Sequence, residues 1–152
     1  MDLAGDLPIT AKGNKYVMIA VEHFTKWVEL VSIRSKSSAD VAHAFLDQVL
    51  SRVGAPREVL TDQGKEFQGA FRTLLKNQQI THRLASREHP QSDGLAERMM
   101  QTLKNGLRKV LLERSRIEWD LYMPYIAMGY RMSKHAAVGY SPYYLLYGRH
   151  PT

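Results

Sequence analysis

Cysteine is absent from the 152 residues, which excludes a disulfide framework, thiolate metal sites and a cysteine nucleophile together. Any metal must therefore be held by oxygen or imidazole. No apolar run approaches the roughly 20 residues that a membrane-spanning helix requires, so no membrane partner is expected. A secretory leader is also missing, because Asp2 and Asp6 stand where a basic and then an apolar stretch belong. With no targeting signal seen, the expected location is intracellular. Internal repeats, low-complexity tracts and linkers are lacking as well, and the length suits a single domain, 1–152.

Positive charge is what the chain has in excess. Lysine and arginine number 21 against 15 acidic residues, a formal net charge of +6. This favours a polyanionic partner, since basic side chains gain affinity by displacing counterions from phosphates. Many basic proteins bind no nucleic acid, so charge alone does not decide.

The pattern of apolar residues predicts strands first. Residues 1 to 8 read as extended up to Leu7-Pro8, Gly13-Asn14 marks a turn, and Tyr16 to Val21 and Trp27 to Ile33 read as strands of an antiparallel meander. After Ser37-Ser38, the spacing of Val41, Phe45, Val49 and Val53, widened by Ala42 and Leu46, predicts an amphipathic helix stopped by Gly54 and Pro56. Val59-Leu60-Thr61 reads as a short buried strand. Phe67 to Gln78 reads as a helix through Phe71, Leu74 and Leu75, and Thr81 to Ala85 as a last strand. Helices are expected from about Ser92 to Glu113, from about Ile117 to Lys134 and near Pro142 to Tyr147. Strands, then alternation, then helices indicate an α/β domain with a mixed sheet covered by helices.

Three acidic residues stand out by position: Asp2 on the first strand, Asp62 directly after a strand, and Glu97 in the first long helix. Ligands in α/β sheets collect at strand ends, which makes Asp62 a site candidate. A turn-capping aspartate reads equally well locally. On the long helix, Glu97, Gln101, Lys104 and Arg108 share one stripe at about 100° per residue, opposite Leu95, Met99, Leu103 and Val110. A carboxylate beside amide and cations suits a divalent ion next to a DNA backbone. An ordinary solvated face with ion-pair spacing is the alternative. Carboxylates gathered from separate elements repel unless a cation neutralises them, and two metal ions a few Å apart activate one oxygen while stabilising another.

At these residues the chain resembles the catalytic core of retroviral and long-terminal-repeat retrotransposon integrases, most closely the gypsy-type branch. The pieces that carry the resemblance begin with Met1-Asp2-Leu3-Ala4-Gly5 with Leu7-Pro8, Phe24-Thr25-Lys26-Trp27, and Thr61-Asp62-Gln63-Gly64-Lys65-Glu66-Phe67. They continue with His89-Pro90-Gln91-Ser92-Asp93-Gly94-Leu95-Ala96-Glu97-Arg98 and Ser141-Pro142-Tyr143-Tyr144-Leu145-Leu146-Tyr147-Gly148-Arg149. They fall in the family's order over essentially the whole chain.

The resemblance implies a ribonuclease H-like fold, with a five-stranded mixed sheet flanked by helices. It places Asp2, Asp62 and Glu97 on an Asp, Asp, Glu triad that binds two magnesium or manganese ions. The implied reactions are 3′-end processing of DNA by water and strand transfer into target DNA, with no covalent enzyme intermediate. Lys104 matches a position that contacts DNA ends, Gln101 and Arg98 are further candidate DNA contacts, and Gln91, Ser92 and Asp93 fall in the loop beside the site. The family also implies homo-oligomers, with the Val41 to Val53 and Ile117 to Lys134 helices as candidate contacts, and nuclear action if the element is eukaryotic.

Some positions depart from the family pattern. Asp62 and Glu97 are separated by 34 residues, one fewer than is usual, and the gap is expected in the Ser86-Arg87-Glu88-His89 connection. Glu22-His23 stands where Asp-Arg is common, and Met100 where Asn is common. The zinc-binding and C-terminal DNA-binding domains that flank relatives are expected to be missing, as in an excised core or a decayed or domesticated remnant. The six histidines show no metal-ligand spacing. Trp119, Tyr122, Tyr125, Ile126 and Tyr130 follow helical spacing and are expected in core or subunit contacts. Two rival functions stay open: a domesticated or inactive DNA-binding or scaffold protein, and a ribonuclease H-type nuclease.

Overall fold

The computed structural model describes residues 1–85, 90–114 and 116–152, with side chains described throughout except at 90–96. Strands β1 (Asp2–Ala4), β2 (Tyr16–Val21) and β3 (Val28–Ile33) form the expected antiparallel meander. Asp2 lies opposite Ile19, and Tyr16 opposite Ile33. The nearly continuous apolar run of β2 has a physical reason, because this strand is covered on both faces. Met18 packs into a core with Val41, Phe45, Phe71 and Leu75, whereas Val17 and Ile19 face a second core with Leu103, Trp119 and Met123. The sheet is thus the middle layer between two helical layers.

Strands β4 (Glu58–Thr61) and β5 (Thr81–Leu84) pair in parallel, with Val59 opposite His82 and Thr61 opposite Leu84. The short strand expected to be buried throughout alternates instead: Val59 and Thr61 are buried, while Leu60 is 45% exposed. The strands therefore form a three-stranded and a two-stranded sheet, where one mixed sheet of five was expected. β1 is only three residues long and offers little ladder to a neighbour. Met1 N donates to the Leu60 carbonyl at 2.7 Å across the two sheets, and Met18, Ile33 and Val59 share one core.

Helix α1 (Ser38–Phe45) begins at Ser37, whose hydroxyl accepts from Asp40 N at 3.1 Å. It runs through a π-helical turn (Leu46–Leu50) into α2 (Ser51–Val53) and stops at Gly54, which has φ 84°. The extra residue per turn rotates the apolar stripe. Val41, Phe45 and Val49 are buried, but Leu46 and Val53, expected in the same stripe, are exposed. Helix α3 (Gly69–Asn77) follows a 3-10 turn and inserts Phe71 and Leu75. Phe71 meets the rings of Phe45 and Phe67 edge-on, each at 5.5 Å between centroids. Each such fully buried side chain contributes about 1.5–3 kcal/mol of hydrophobic stabilisation.

On the opposite layer, α4 (Pro90–Glu113) buries Met99, Leu103 and Leu107. The predicted Ile117 to Lys134 helix is a 3-10 turn (Trp119–Tyr122) leading into α5 (Met123–Met132). Trp119 is fully buried, with its indole N–H donating to Pro8 O at 2.7 Å. Tyr130 is buried too, whereas Tyr125 is 65% exposed, so the aromatic stripe divides between core and surface. Helix α6 (Pro142–Tyr147) is capped by Ser141 and ends at Gly148 with φ 69°. Among the described residues no helix is long and apolar enough to cross a membrane.

Candidate active site

Asp2 is the first residue of β1, where the register against β2 fixes its backbone. Its Oδ1 accepts from Leu3 N at 2.8 Å and its Oδ2 receives Lys104 Nζ at 2.8 Å. Asp62 leaves β4 into a turn in which its Oδ1 accepts from Gly64 N at 2.7 Å. The capping role that local sequence allowed is therefore real, and it leaves the second carboxylate oxygen for another partner. The contact of Met1 N with Leu60 O at 2.7 Å sets β1 beside β4. Asp2 and Asp62 lie one and two residues beyond these partners.

Glu97 stands apart from that pair. It is exposed on α4, and among the described residues no group of three or more His, Asp or Glu side chains is placed to hold a metal ion. Asp2 is paired instead with Lys104, seven residues beyond Glu97 on the same helix.

The polar stripe on α4 lies as its periodicity predicts. Glu97, Gln101 and Arg108 are exposed and Lys104 is half-buried, while Met99 and Leu103 point into the core; Arg98, outside that stripe, is exposed as well. Gln101 donates to Asn105 Oδ1 at 2.9 Å, and the Arg98 carbonyl accepts from the Thr102 hydroxyl at 3.0 Å. The side chains of Gln91, Ser92 and Asp93, and the connection 86–89, lie outside the described residues.

Three comparisons bear on this arrangement. The sequence profile described as "Integrase core domain" matches residues 1–90, including Asp2 and Asp62. The chain belongs to the integrase core domain family. Among curated relatives, the Pol polyprotein of transposon 412 from Drosophila melanogaster is 27% identical over 150 residues, covering 98% of this chain and 12% of the relative. The Gag-Pol polyprotein of Gibbon ape leukemia virus is 31% identical over 140 residues, covering 91% of this chain and 8% of the relative. The Pol polyprotein of Feline endogenous virus ECE1 is 33% identical over 144 residues, 91% of this chain and 13% of the relative. This integrase core therefore spans a small part of each of these polyproteins.

Solved structures agree on the fold. The catalytic core domain of BIV integrase superposes with a TM-score of 0.70 at 24% identity, covering 95% of this chain and 90% of that one. A chain of the simian T-cell lymphotropic virus intasome, solved with PP2A regulatory subunit B56 gamma, superposes with a TM-score of 0.78 at 18% identity, covering 96% and 52%. The α/β architecture of this integrase core is thus that of integrase catalytic cores.

Two features escaped the sequence, one beside Asp62 and one away from the acids. His82 Nε2 lies 2.8 Å from the Thr61 hydroxyl, one residue before Asp62. Histidine spacing gave no signal, because a hydrogen bond between neighbouring strands depends on register. Glu29 is also buried, bonded to Arg131 at 2.7 Å, Arg52 at 3.1 Å and the Trp27 indole at 2.9 Å. An acid in the middle of a strand flanked by apolar residues was its only sequence mark.

Proposed function

We propose that this integrase core is a metal-dependent polynucleotidyl transferase that trims DNA 3′ ends and joins them to target DNA. The observation that carries the reading is the contact of Met1 N with Leu60 O, which sets β1 beside β4 and so brings Asp2 and the Asp62 turn to neighbouring strand ends. Hard carboxylate oxygens are the donors that magnesium and manganese take, so this pair fits a divalent ion. Glu97 supplies a third carboxylate if the first turns of α4 approach the strand ends, giving a site for two ions. When bound, such ions activate the attacking oxygen and stabilise the leaving one.

The chain's own residues then act by position and charge. Asp2 and Asp62 are fixed by backbone N–H donors, which limits their reorganisation. Lys104, Gln101 and Arg98 line one stretch of α4 where a phosphate backbone lies beside the acids. In processing, a water oxygen attacks phosphorus and the P–O3′ bond breaks. In strand transfer the freed 3′ hydroxyl attacks a target phosphodiester, and the displaced oxygen leaves with a proton. Neither step needs a nucleophilic side chain.

Assembly is part of the proposal. Leu121, Tyr125, Met128 and Met132 form an exposed apolar stripe on the α5 segment, and Leu46 and Val53 are exposed on the α1–α2 segment. These faces suit contact between copies around paired DNA ends. Such a reaction places the protein with chromosomal DNA, in the nucleus for a eukaryotic element.

The Lys104–Asp2 ion pair and the exposed Glu97 favour one rival, a core that binds DNA without catalysis. Incubation with labelled duplexes bearing free 3′ hydroxyls and manganese separates the readings. Joined products that vanish in Asp62→Asn support the transferase. DNA binding without joining supports the inactive core, and cleavage confined to the RNA strand of a hybrid supports a ribonuclease H-type nuclease.

A further inference from the structure

Behind Asp62 the strand pair carries a short chain of hydrogen bonds. The Thr61 hydroxyl donates to the Asp62 carbonyl at 2.8 Å and also lies 2.8 Å from His82 Nε2. A hydroxyl has one hydrogen. Since Thr61 gives its hydrogen to Asp62 O, the second contact requires that His82 Nε2 carry the proton and donate. Burial, and then the charge of Arg72, holds His82 below the usual imidazole range, so the ring is the neutral Nε2–H tautomer at pH 7. Its plane is set by an edge contact with Phe71 at 5.8 Å between centroids and by the β4–β5 register that puts His82 opposite Val59. Thr61 is 2% exposed, which shields this bond from competing water.

The Asp62 carbonyl belongs to the peptide that leaves β4. Fixing that peptide sets ψ of Asp62 and hence where the next residues run, including the Gly64 N–H that holds the Asp62 carboxylate at 2.7 Å. We infer that His82 is a positioning residue for Asp62: through the Thr61 hydroxyl it locks the turn that aims the carboxylate. Its value for catalysis rests on the function proposed above, but its effect on the turn does not.

Two readouts keep these claims apart. The amide proton shift of Gly64 reports the bond to the Asp62 carboxylate without any metal, and manganese affinity by calorimetry reports the consequence for the site. His82→Phe keeps a ring against Phe71 and loses the donor, Thr61→Val loses the hydroxyl at nearly equal volume, and His82→Gln restores an N–H. Expected in both deletion variants is an upfield move of the Gly64 amide and a loss of roughly tenfold or more in manganese affinity, the usual range for residues that orient a metal ligand. His82→Gln should recover much of both. Thr61→Ser, which keeps the hydroxyl, is the control should Thr61→Val fail to fold. An unchanged Gly64 amide in folded His82→Phe overturns the inference. A parent that binds no manganese, with the Gly64 amide still moved by His82→Phe, defeats the metal reading while upholding the positioning role.

Discussion

Lys104 Nζ lies 2.8 Å from Asp2 Oδ2, so a cation that the sequence suits to DNA is held by an acid that the sequence suits to metal. On the function proposed above the two roles compete for one carboxylate: a divalent ion at Asp2 would displace Lys104 and free its charge for a phosphate.

Replacing Lys104 with methionine removes the competitor while keeping the stem. Partly exposed ion pairs are worth about 0–1 kcal/mol, so manganese affinity should rise by no more than about fivefold. Affinity for duplex DNA should fall, and its salt dependence should become shallower. Titrations of both ligands at two salt concentrations check this, and weaker manganese binding in Lys104→Met would show that the pair assists the site.

Glu29 predicts a large effect far from the acids. It is 6% exposed and accepts from two arginines, of which Arg131 is itself largely buried. Glu29→Gln leaves the Arg131 guanidinium without its counter-charge, and breaking a buried pair costs about 3–5 kcal/mol. Arg52→Ala removes the more exposed partner and should cost about 1 kcal/mol or less. Urea unfolding of both variants measures the contrast, and equal losses would refute the unequal burial assigned to the two arginines.

Glu22 gives a pH signature. Its carboxylate accepts from the Thr25 hydroxyl and from the Phe24 and Thr25 amides, tying the turn between β2 and β3. Burial alone would raise its pKa, but these hydrogen bonds outweigh it and hold the group below its ordinary value of 4.5. A depressed folded-state pKa means stability that is complete above the unfolded value and lost as pH falls through the folded one. Glu22→Gln should cost about 1 kcal/mol at pH 7, discounted for partial exposure. The gap between parent and variant should close below about pH 4.5, and thermal melts from pH 7 to pH 3 read it directly.

Much of this was legible in the residues because burial leaves period and composition marks. The doubly covered β2 showed itself as an apolar run, and Met99 and Leu103 marked the inner face of α4. The π-helical turn was not legible, since Leu46 and Val53 keep helical spacing in sequence while the backbone turns them outward. Among the candidate site residues, Asp2 was singled out by its place on the first strand, Asp62 by following a strand, and Lys104 by its stripe. Their mutual arrangement was not, because the Lys104–Asp2 pair joins residues 102 positions apart. The same holds for His82, whose meeting with Thr61 depends on strand register.

Manganese binding by calorimetry tests the central claim most directly, comparing the parent with Asp62→Asn and Glu97→Gln, each shown to be folded by circular dichroism. The account predicts binding in the parent that is lost in both variants, with Glu97 drawn to the aspartates as the ion binds. A folded parent that binds no manganese, or a Glu97→Gln variant that binds as the parent does, would contradict it.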